Sequence, residues 1–153
     1  MAENKKVSRY KIREQAFLLC FERLFSDSTL EEIAENALEC RELEFEPEVL
    51  QIARSMEENS ETIDEKIEKY LKEGWKISRL PKVSLAVLRV CAFELFYRES
   101  VPTGVAINEA IELAKKYTTP EDAAFINGIL GSLSRGELTG ERQGRLPDAK
   151  NDA

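Results

Sequence analysis

The sequence predicts an all-α fold of about seven helices in two packed bundles, and three observations carry that reading. The stretch Val83–Tyr97, VSLAVLRVCAFELFY, is apolar except for Ser84, Arg89 and Glu94. It is too long for an ordinary strand, lacks period-2 alternation, and sets Leu85, Leu88, Ala92 and Leu95 on one helical stripe. Several shorter runs on either side repeat the helical period and carry helix start signals. No stretch reads convincingly as a strand.

Taken in order, residues 1–7 form a flexible basic N-terminal arm. A first helix begins at Ser8, with Ile12, Ala16, Leu19, Cys20 and Leu24 inward, and Ser26-Asp27-Ser28 breaks it. Thr29 and Glu32 stand at capping-box spacing ahead of Leu30, Ile33, Ala34, Ala37 and Leu38. Glu46-Pro47 opens a third helix through Val49, Leu50, Ile52, Ala53 and Met56. Asn59-Ser60 punctuates, and a fourth helix runs through Ile63, Ile67, Tyr70 and Leu71 to Gly74. Residues 8–74 thus make an N-terminal bundle and residues 75–135 a C-terminal one.

Trp75, Ile77 and Leu80 are expected to plug the seam between them. The apolar fifth helix is the centre of the second bundle. At fifteen residues with two internal charges it is too short and too charged to cross a membrane. Pro102-Thr103 opens the sixth helix, on which Glu112 and Lys116 are spaced to pair at i, i+4. Thr119-Pro120-Glu121-Asp122 opens the seventh, with an N-cap, a proline in the first turn and carboxylates at the positive end. Gly128 and Gly131 within it predict close approach to another backbone. Residues 136–153 have no apolar period and are expected to be a disordered tail.

Composition narrows the function. Cys20, Cys40 and Cys91 lack metal-ligand spacing and read as reduced core residues in a reducing, cytoplasmic setting. The absence of an N-terminal apolar run predicts no signal peptide or membrane anchor. There is no histidine, which removes the commonest general base and metal ligand. The seven glycines form no phosphate-cradling loop. An enzyme, a cofactor or a metal centre is therefore not expected. The net charge of −7 is unevenly distributed: residues 1–13 carry +4, whereas residues 27–68 carry −12. A basic end on an acidic body is the asymmetry to explain.

The turn Ser8-Arg9-Tyr10-Lys11-Ile12-Arg13 is the candidate site. Guanidinium forks suit phosphates and base edges, and Tyr10 can stack on an unpaired base. Residue statistics alone favour an ordinary basic helix end here, and core burial for Phe21, whose alternative is a second stacking platform. Arg89 and Glu94 are five residues apart and do not face each other. Each is expected to find a partner across the bundle, with Asn108, Glu109 and Asn127 as candidates.

Longer strings carry a resemblance. Val105–Lys115, VAINEAIELAK, looks like the "VxINEAxELAK" signature of the NusB family of bacterial transcription antitermination factors, and Phe125–Leu130, FINGIL, like its "F[IV]NG[IV]L". Leu88–Leu95 is similar to its "LRxxxxEL", and Arg9–Glu14 to its Arg-rich opening. The resemblance implies a fold of two helical bundles. It further implies binding of a single-stranded boxA-type RNA together with NusE, a small-subunit ribosomal protein, within an RNA polymerase antitermination complex. Carried over by position, Arg9, Lys11 and Arg13 meet RNA, with Tyr10 beside them and Phe21, Glu121 and Phe125 as further candidates.

The chain departs from the pattern at Tyr10 and Ile12. It also carries Glu121-Asp122 for a frequent Asp-Ser, and Ser84 where relatives present an acid to NusE. A protein-interaction adaptor without RNA binding is the alternative from another class. A methyltransferase with a NusB-like domain would need a second domain, and a homodimer covering the N-terminal face is also compatible with the sequence.

Overall fold

A computed structural model describes residues 8–41 and 43–138 of the chain. Seven α-helices run in the order α1 (Arg9–Arg23), α2 (Leu30–Arg41), α3 (Pro47–Glu58), α4 (Ser60–Lys69), α5 (Lys82–Tyr97), α6 (Thr103–Tyr117) and α7 (Pro120–Glu137). A short 3-10 turn at Ile77–Arg79 precedes α5. No strand occurs among the described residues. The expected basic arm, residues 1–7, lies outside them.

The start signals do what their spacing requires. The Ser8 side chain accepts the Lys11 amide N–H at 3.1 Å and so caps α1. Thr29 and Glu32 form the reciprocal capping box: the Thr29 amide donates to the Glu32 carboxylate at 2.8 Å, and the Glu32 amide donates to Thr29 Oγ1 at 3.1 Å. The Thr119 hydroxyl accepts the Asp122 amide at 3.1 Å, with Pro120 opening α7. Asn59 ends α3 and begins α4 in one residue, so these two helices are separated by little more than a bend.

Helix α5 is the axis. Twelve of its sixteen residues are buried, among them Leu88, Phe93, Leu95 and Phe96. It packs against α1, α3, α4, α6 and α7. The apolar interior is one continuous cluster, reaching from Ile12 and Phe17 on α1 to Leu133 on α7. Fully burying one such Leu or Phe contributes about 1.5–3 kcal/mol, and α5 supplies many of them. None of the helices in the described residues is long and apolar enough to cross a membrane.

Two charged side chains interrupt α5, and each meets an opposite charge from the N-terminal half. Arg89 forms a bidentate pair with Asp64 on α4, Nε to Oδ1 at 2.8 Å and Nη2 to Oδ2 at 2.7 Å. Glu94 accepts Arg13 Nε of α1 at 2.8 and 2.9 Å. The expected cross-bundle pairing holds, but the partners are Asp64 and Arg13 rather than Asn108, Glu109 or Asn127. Those three lie on α6 and α7, while the two charges of α5 are directed at α4 and α1.

Other expectations are corrected. Lys116 pairs with Glu14 rather than Glu112, and Glu112 meets Lys115 at 3.9 Å. Cys40 is exposed, not a core residue, whereas Cys91 is buried with its thiol 3.5 Å from the Ala106 carbonyl. Nothing lies within 4 Å of a Cβ built at Gly128, so no backbone approaches there. The tight glycine is Gly136, where a Cβ would fall 2.0 Å from the Tyr70 hydroxyl. Helix α7 therefore runs past the expected start of the tail. Glu137 receives hydrogen bonds from Lys66 at 2.8 Å, Lys69 at 3.0 Å and Tyr70 at 2.6 Å, and Leu138 is buried. The rest of the expected tail, residues 139–153, lies outside the described residues. Leu80 fills the connection between the halves as expected, but Trp75 is 46% exposed.

Arg13 and Glu94 make a buried pair, Arg9 and Glu48 a surface one. Arg13→Ala strands the Glu94 carboxylate in the interior and is expected to cost about 3–5 kcal/mol, measured by urea unfolding. Arg9→Ala, at a surface pair, is expected to stay within about 1 kcal/mol. Hydrogen bonds from Lys66 and Tyr70 hold the Glu137 carboxyl down to about 2. A carboxyl lowered on folding stabilises the native state above its unfolded value and loses that contribution as pH falls toward the folded one. The melting-temperature advantage of the native chain over Glu137→Gln should be constant near neutral pH and should shrink between about 4.5 and about 2.

Candidate nucleic-acid interface

The first turn of α1 divides its basic residues between two tasks. Ser8 caps the helix, and 3.6 residues per turn then set Arg9 and Arg13 one above the other. Arg9 is at the open end, 60% exposed, with Nη2 2.7 Å from Glu48 Oε2. Arg13 is one turn inward and buried, with its Nε on Glu94. Burial pushes the Glu94 carboxyl up, against the pull of Arg13, Arg98 and Arg9. Lys11 projects into solvent and Tyr10 is half-buried. The exposed charge of this turn is therefore Arg9 and Lys11, and Arg13 serves the interior.

A polar cluster lies next to it. Glu14, itself buried, accepts the Lys116 ammonium at 2.5 Å and the Tyr117 hydroxyl at 2.7 Å, tying the end of α6 to α1. Burial raises the Glu14 carboxyl, but the hydrogen bonds from Lys116 and Tyr117 outweigh it and leave the group below its ordinary value. Burial and Glu14 together lift the Tyr117 phenol to about 12. Burial first, and the Glu14 charge second, also raise Tyr10. Lys116 remains more than half exposed and sits 5.4 Å from the centre of the Tyr117 ring.

Aromatic rings extend the surface along α1. Phe17 is buried against Tyr117, ring centres 4.9 Å apart, and Phe21 stacks on Phe17 at 6.0 Å. Phe21 is half-buried and meets Phe25 edge-on at 5.1 Å. Phe25 is 63% exposed, with the Lys82 ammonium 5.7 Å above its ring. Phe21 is thus neither a free platform nor a core residue. It is the middle rung of a ladder whose outer rung reaches water.

The turn Thr118-Thr119 carries the chain from Tyr117 into α7, where Glu121 is exposed and Phe125 half-buried. These two are one helical turn apart and share a face. Phe125 packs against Trp75, ring centres 6.4 Å apart, so an exposed indole adjoins it. The Ser84 side chain is fully buried and its hydroxyl has no hydrogen-bond partner, so this position does not reach the surface.

Of the candidate residues, the structure gathers Arg9, Tyr10 and Lys11 at one helix end. It turns Arg13 inward, sets Phe21 farther along the same helix, and puts Glu121 and Phe125 on α7. Sequence reasoning missed Lys116, Tyr117, Trp75 and Phe25. The connection's pattern puts Trp75 in the seam, whereas the structure leaves it 46% exposed. The Glu14–Tyr117 contact spans 103 residues, and no local spacing encodes it.

The fold and this surface define a class: an all-helical, two-bundle protein presenting a small basic and aromatic face on an acidic body. Residues 10–135 match the NusB family model. The chain is 44% identical over 143 residues to the transcription antitermination protein NusB of Clostridium botulinum (strain Kyoto / Type A2), covering 83% of this chain and 99% of that one. Its fold superposes on T. maritima NusB with a TM-score of 0.76 at 33% identity, over 86% of this chain and 93% of the other. It also shares its fold with a chain from a crystal structure of antitermination factors NusB and NusE in complex with double-stranded RNA. That match has a TM-score of 0.73 at 24% identity, covering 85% of this chain and 99% of the other. The chain belongs to the NusB family.

Replacing Glu14 tests the polar cluster. In Glu14→Gln the Tyr117 phenol should move down from about 12 toward its ordinary value. Ultraviolet titration of the tyrosines against Tyr117→Phe reads that change directly.

Proposed function

We propose that the protein is a transcription antitermination factor that binds single-stranded boxA-type RNA at the exposed end of α1, in the cytoplasm. On this reading it acts with a NusE-type ribosomal protein in an antitermination complex on RNA polymerase. The observation that carries the RNA part is the arrangement of Arg9, Tyr10 and Lys11 at a capped helix end beside Lys116 and Tyr117. Exposed cations on both sides of half-buried phenols offer phosphate contacts and base-stacking faces together. Phe125 with Trp75 supplies a second aromatic face on α7, and Phe21 backs the exposed ring of Phe25.

Charge supports a small footprint and a need for help. Three cations on phosphates (Arg9, Lys11 and Lys116) give a salt slope of about −0.7 each, or roughly −2 in total. Such a binder is weak alone, and an acidic body repels RNA from the other faces. A second protein that contacts the same strand raises affinity by linkage. Membership of the NusB family makes NusE the partner to test.

The experiment is an anisotropy titration of a labelled boxA-type strand at several salt concentrations, with and without NusE. Native protein should bind, and more tightly with the partner. Arg9→Ala with Lys11→Ala should weaken binding and flatten the salt slope by about 1.4, two phosphate contacts' worth. The circular-dichroism melt of that variant should stay within a few degrees, because neither side chain is buried. Unchanged affinity in the variant would refute the assignment of this surface. Absence of binding to any strand would favour a protein-interaction adaptor instead.

A further inference from the structure

A second basic stretch interrupts the acidic body. Residues 72–82, KEGWKISRLPK, join α4 to α5 and carry four bases against a single acid, Glu73. Lys82 is turned to the Phe25 ring, 5.7 Å from its centre. Lys72, Lys76 and Arg79 are exposed, and among the described residues none of the three pairs with a carboxylate. In this they differ from Arg9 and Lys116, each of which holds a glutamate. Trp75, the one tryptophan of the chain, stands in the middle of the stretch and is 46% exposed.

The connection is a fixed support. Leu71 and Leu80 bury its two ends. The Trp75 amide donates to the Lys72 carbonyl at 2.9 Å, and Gly74 takes the φ of +87° that this turn requires. Glu68 accepts the Ile77 amide at 2.9 Å, and the Arg79 amide donates to the Lys76 carbonyl at 2.9 Å. Hydrogen bonds on both sides therefore hold the backbone that presents the indole. Nor is the ring a scattered surface residue, since Phe125 of α7 packs against it with ring centres 6.4 Å apart.

Two adjoining rings flanked by open cations suit a single nucleic-acid strand, whose bases stack on aromatic faces while its phosphates meet the bases of the protein. A strand uses both features at once, charge and ring, whereas an acidic peptide answers only the charge. The place is also continuous with the surface at α1. Tyr117, the Thr118-Thr119 turn and the first two turns of α7 lead from there to Phe125. Glu121 and Asp122 lie on that path, in the first turn of α7, where the positive helix end offsets them.

We propose that the α4–α5 connection is a second contact for single-stranded RNA, in which a base stacks on Trp75 beside Phe125 and Lys72, Lys76 and Arg79 meet backbone phosphates. This rests on the RNA reading above and extends it. A strand engaged at α1 passes the end of α6 and the start of α7 and finishes on the connection, so affinity depends on strand length. A short strand meets only the cations at α1 and α6, with a salt slope of roughly −2, and a long one adds three contacts and reaches roughly −4.

The test uses the full chain and two boxA-type strands, of about 6 and about 16 nucleotides, within the range of single-strand site sizes. Because Trp75 is the only tryptophan, its fluorescence reports on this face alone. The long strand should quench it in step with binding measured by anisotropy, and the short strand should not. Trp75→Ala should weaken the long strand by about five-fold or more, the loss of one stacked base, and leave the short strand unchanged. Trp75→Phe should recover most of that loss. Lys76→Gln with Arg79→Gln should flatten the long strand's salt slope by about 1.4 and leave the short strand's slope as it was. If Trp75→Ala does not fold, the quenching of native protein and the Lys76 and Arg79 variant decide.

A long strand that binds without quenching Trp75, or that binds Trp75→Ala as tightly as native protein, overturns this face and leaves the α1 surface in place. Quenching by NusE but not by the long strand gives the connection to a protein partner and overturns the proposal equally. A long strand that fails to bind native protein at the lowest salt overturns the RNA reading and this face with it.

Discussion

A guanidinium and a carboxylate buried between α1 and α5 set the position of everything at the basic end of the molecule. Arg13 and Glu94 lie 81 residues apart and meet at 2.8 and 2.9 Å inside an apolar helix pair. Their separation from water gives the contact its consequence. Such a pair gains little over well-packed apolar residues, but each partner alone is costly, so the two helices cannot slide or rotate without stranding a charge. The turn that carries Arg9, Tyr10 and Lys11 is rigidly attached to this pair by helix geometry. The surface proposed to take a flexible strand is thus referenced to the deepest helix in the fold.

The same device recurs at three other places, with different exposure and different roles. Arg89 and Asp64 join α5 to α4, while Glu137 gathers Lys66, Lys69 and Tyr70 to close α7 onto α4. Glu14 gathers Lys116 and Tyr117 to close the end of α6 onto α1. In the last two, one enclosed carboxylate accepts several donors from another helix. Charge and hydrogen bonding hold each such group ionised at neutral pH, which keeps the helix ends in register. Lys116 can then remain at the surface with its head fixed, and so loses less freedom if it meets a ligand.

Local signals in the sequence were readable because local physics decides them. The caps at Ser8, Thr29 and Thr119 depend only on residues three positions away, and the apolar stripe of α5 depends only on its own period. The strings VAINEAIELAK and FINGIL pointed to the family as strings, although only part of each packs inward: Ala106, Ala110, Leu113, Ile126 and Leu130 are buried, whereas Val105, Asn108, Asn127 and Gly128 are exposed. The status of each arginine was not readable. Arg9 and Arg13 look equivalent by spacing, yet one helical turn of depth separates an exposed side chain from a buried one. That difference is made by Glu94, far along the chain. Trp75 and Gly128 failed for a related reason: composition suggested a seam plug and a close approach, while tertiary packing left both open to solvent.

Depth also accounts for how an acidic protein can carry the proposed site for a polyanion. Acids near the basic turn fall into two sets. Glu94 and Glu14 are enclosed, and each is matched by cations, so they project little field into solvent. Glu48 is part-exposed at 39% and pairs with Arg9, so its charge lies at the proposed RNA face. The net charge of −7 thus says little about this face. With a Debye length of about 8 Å at physiological salt, a phosphate within contact distance responds to the guanidinium groups beside it rather than to the distant acids of α2 and α4. On the proposed reading those acids act on encounters elsewhere on the body, discouraging contact there and favouring the end of α1 as the face for a strand.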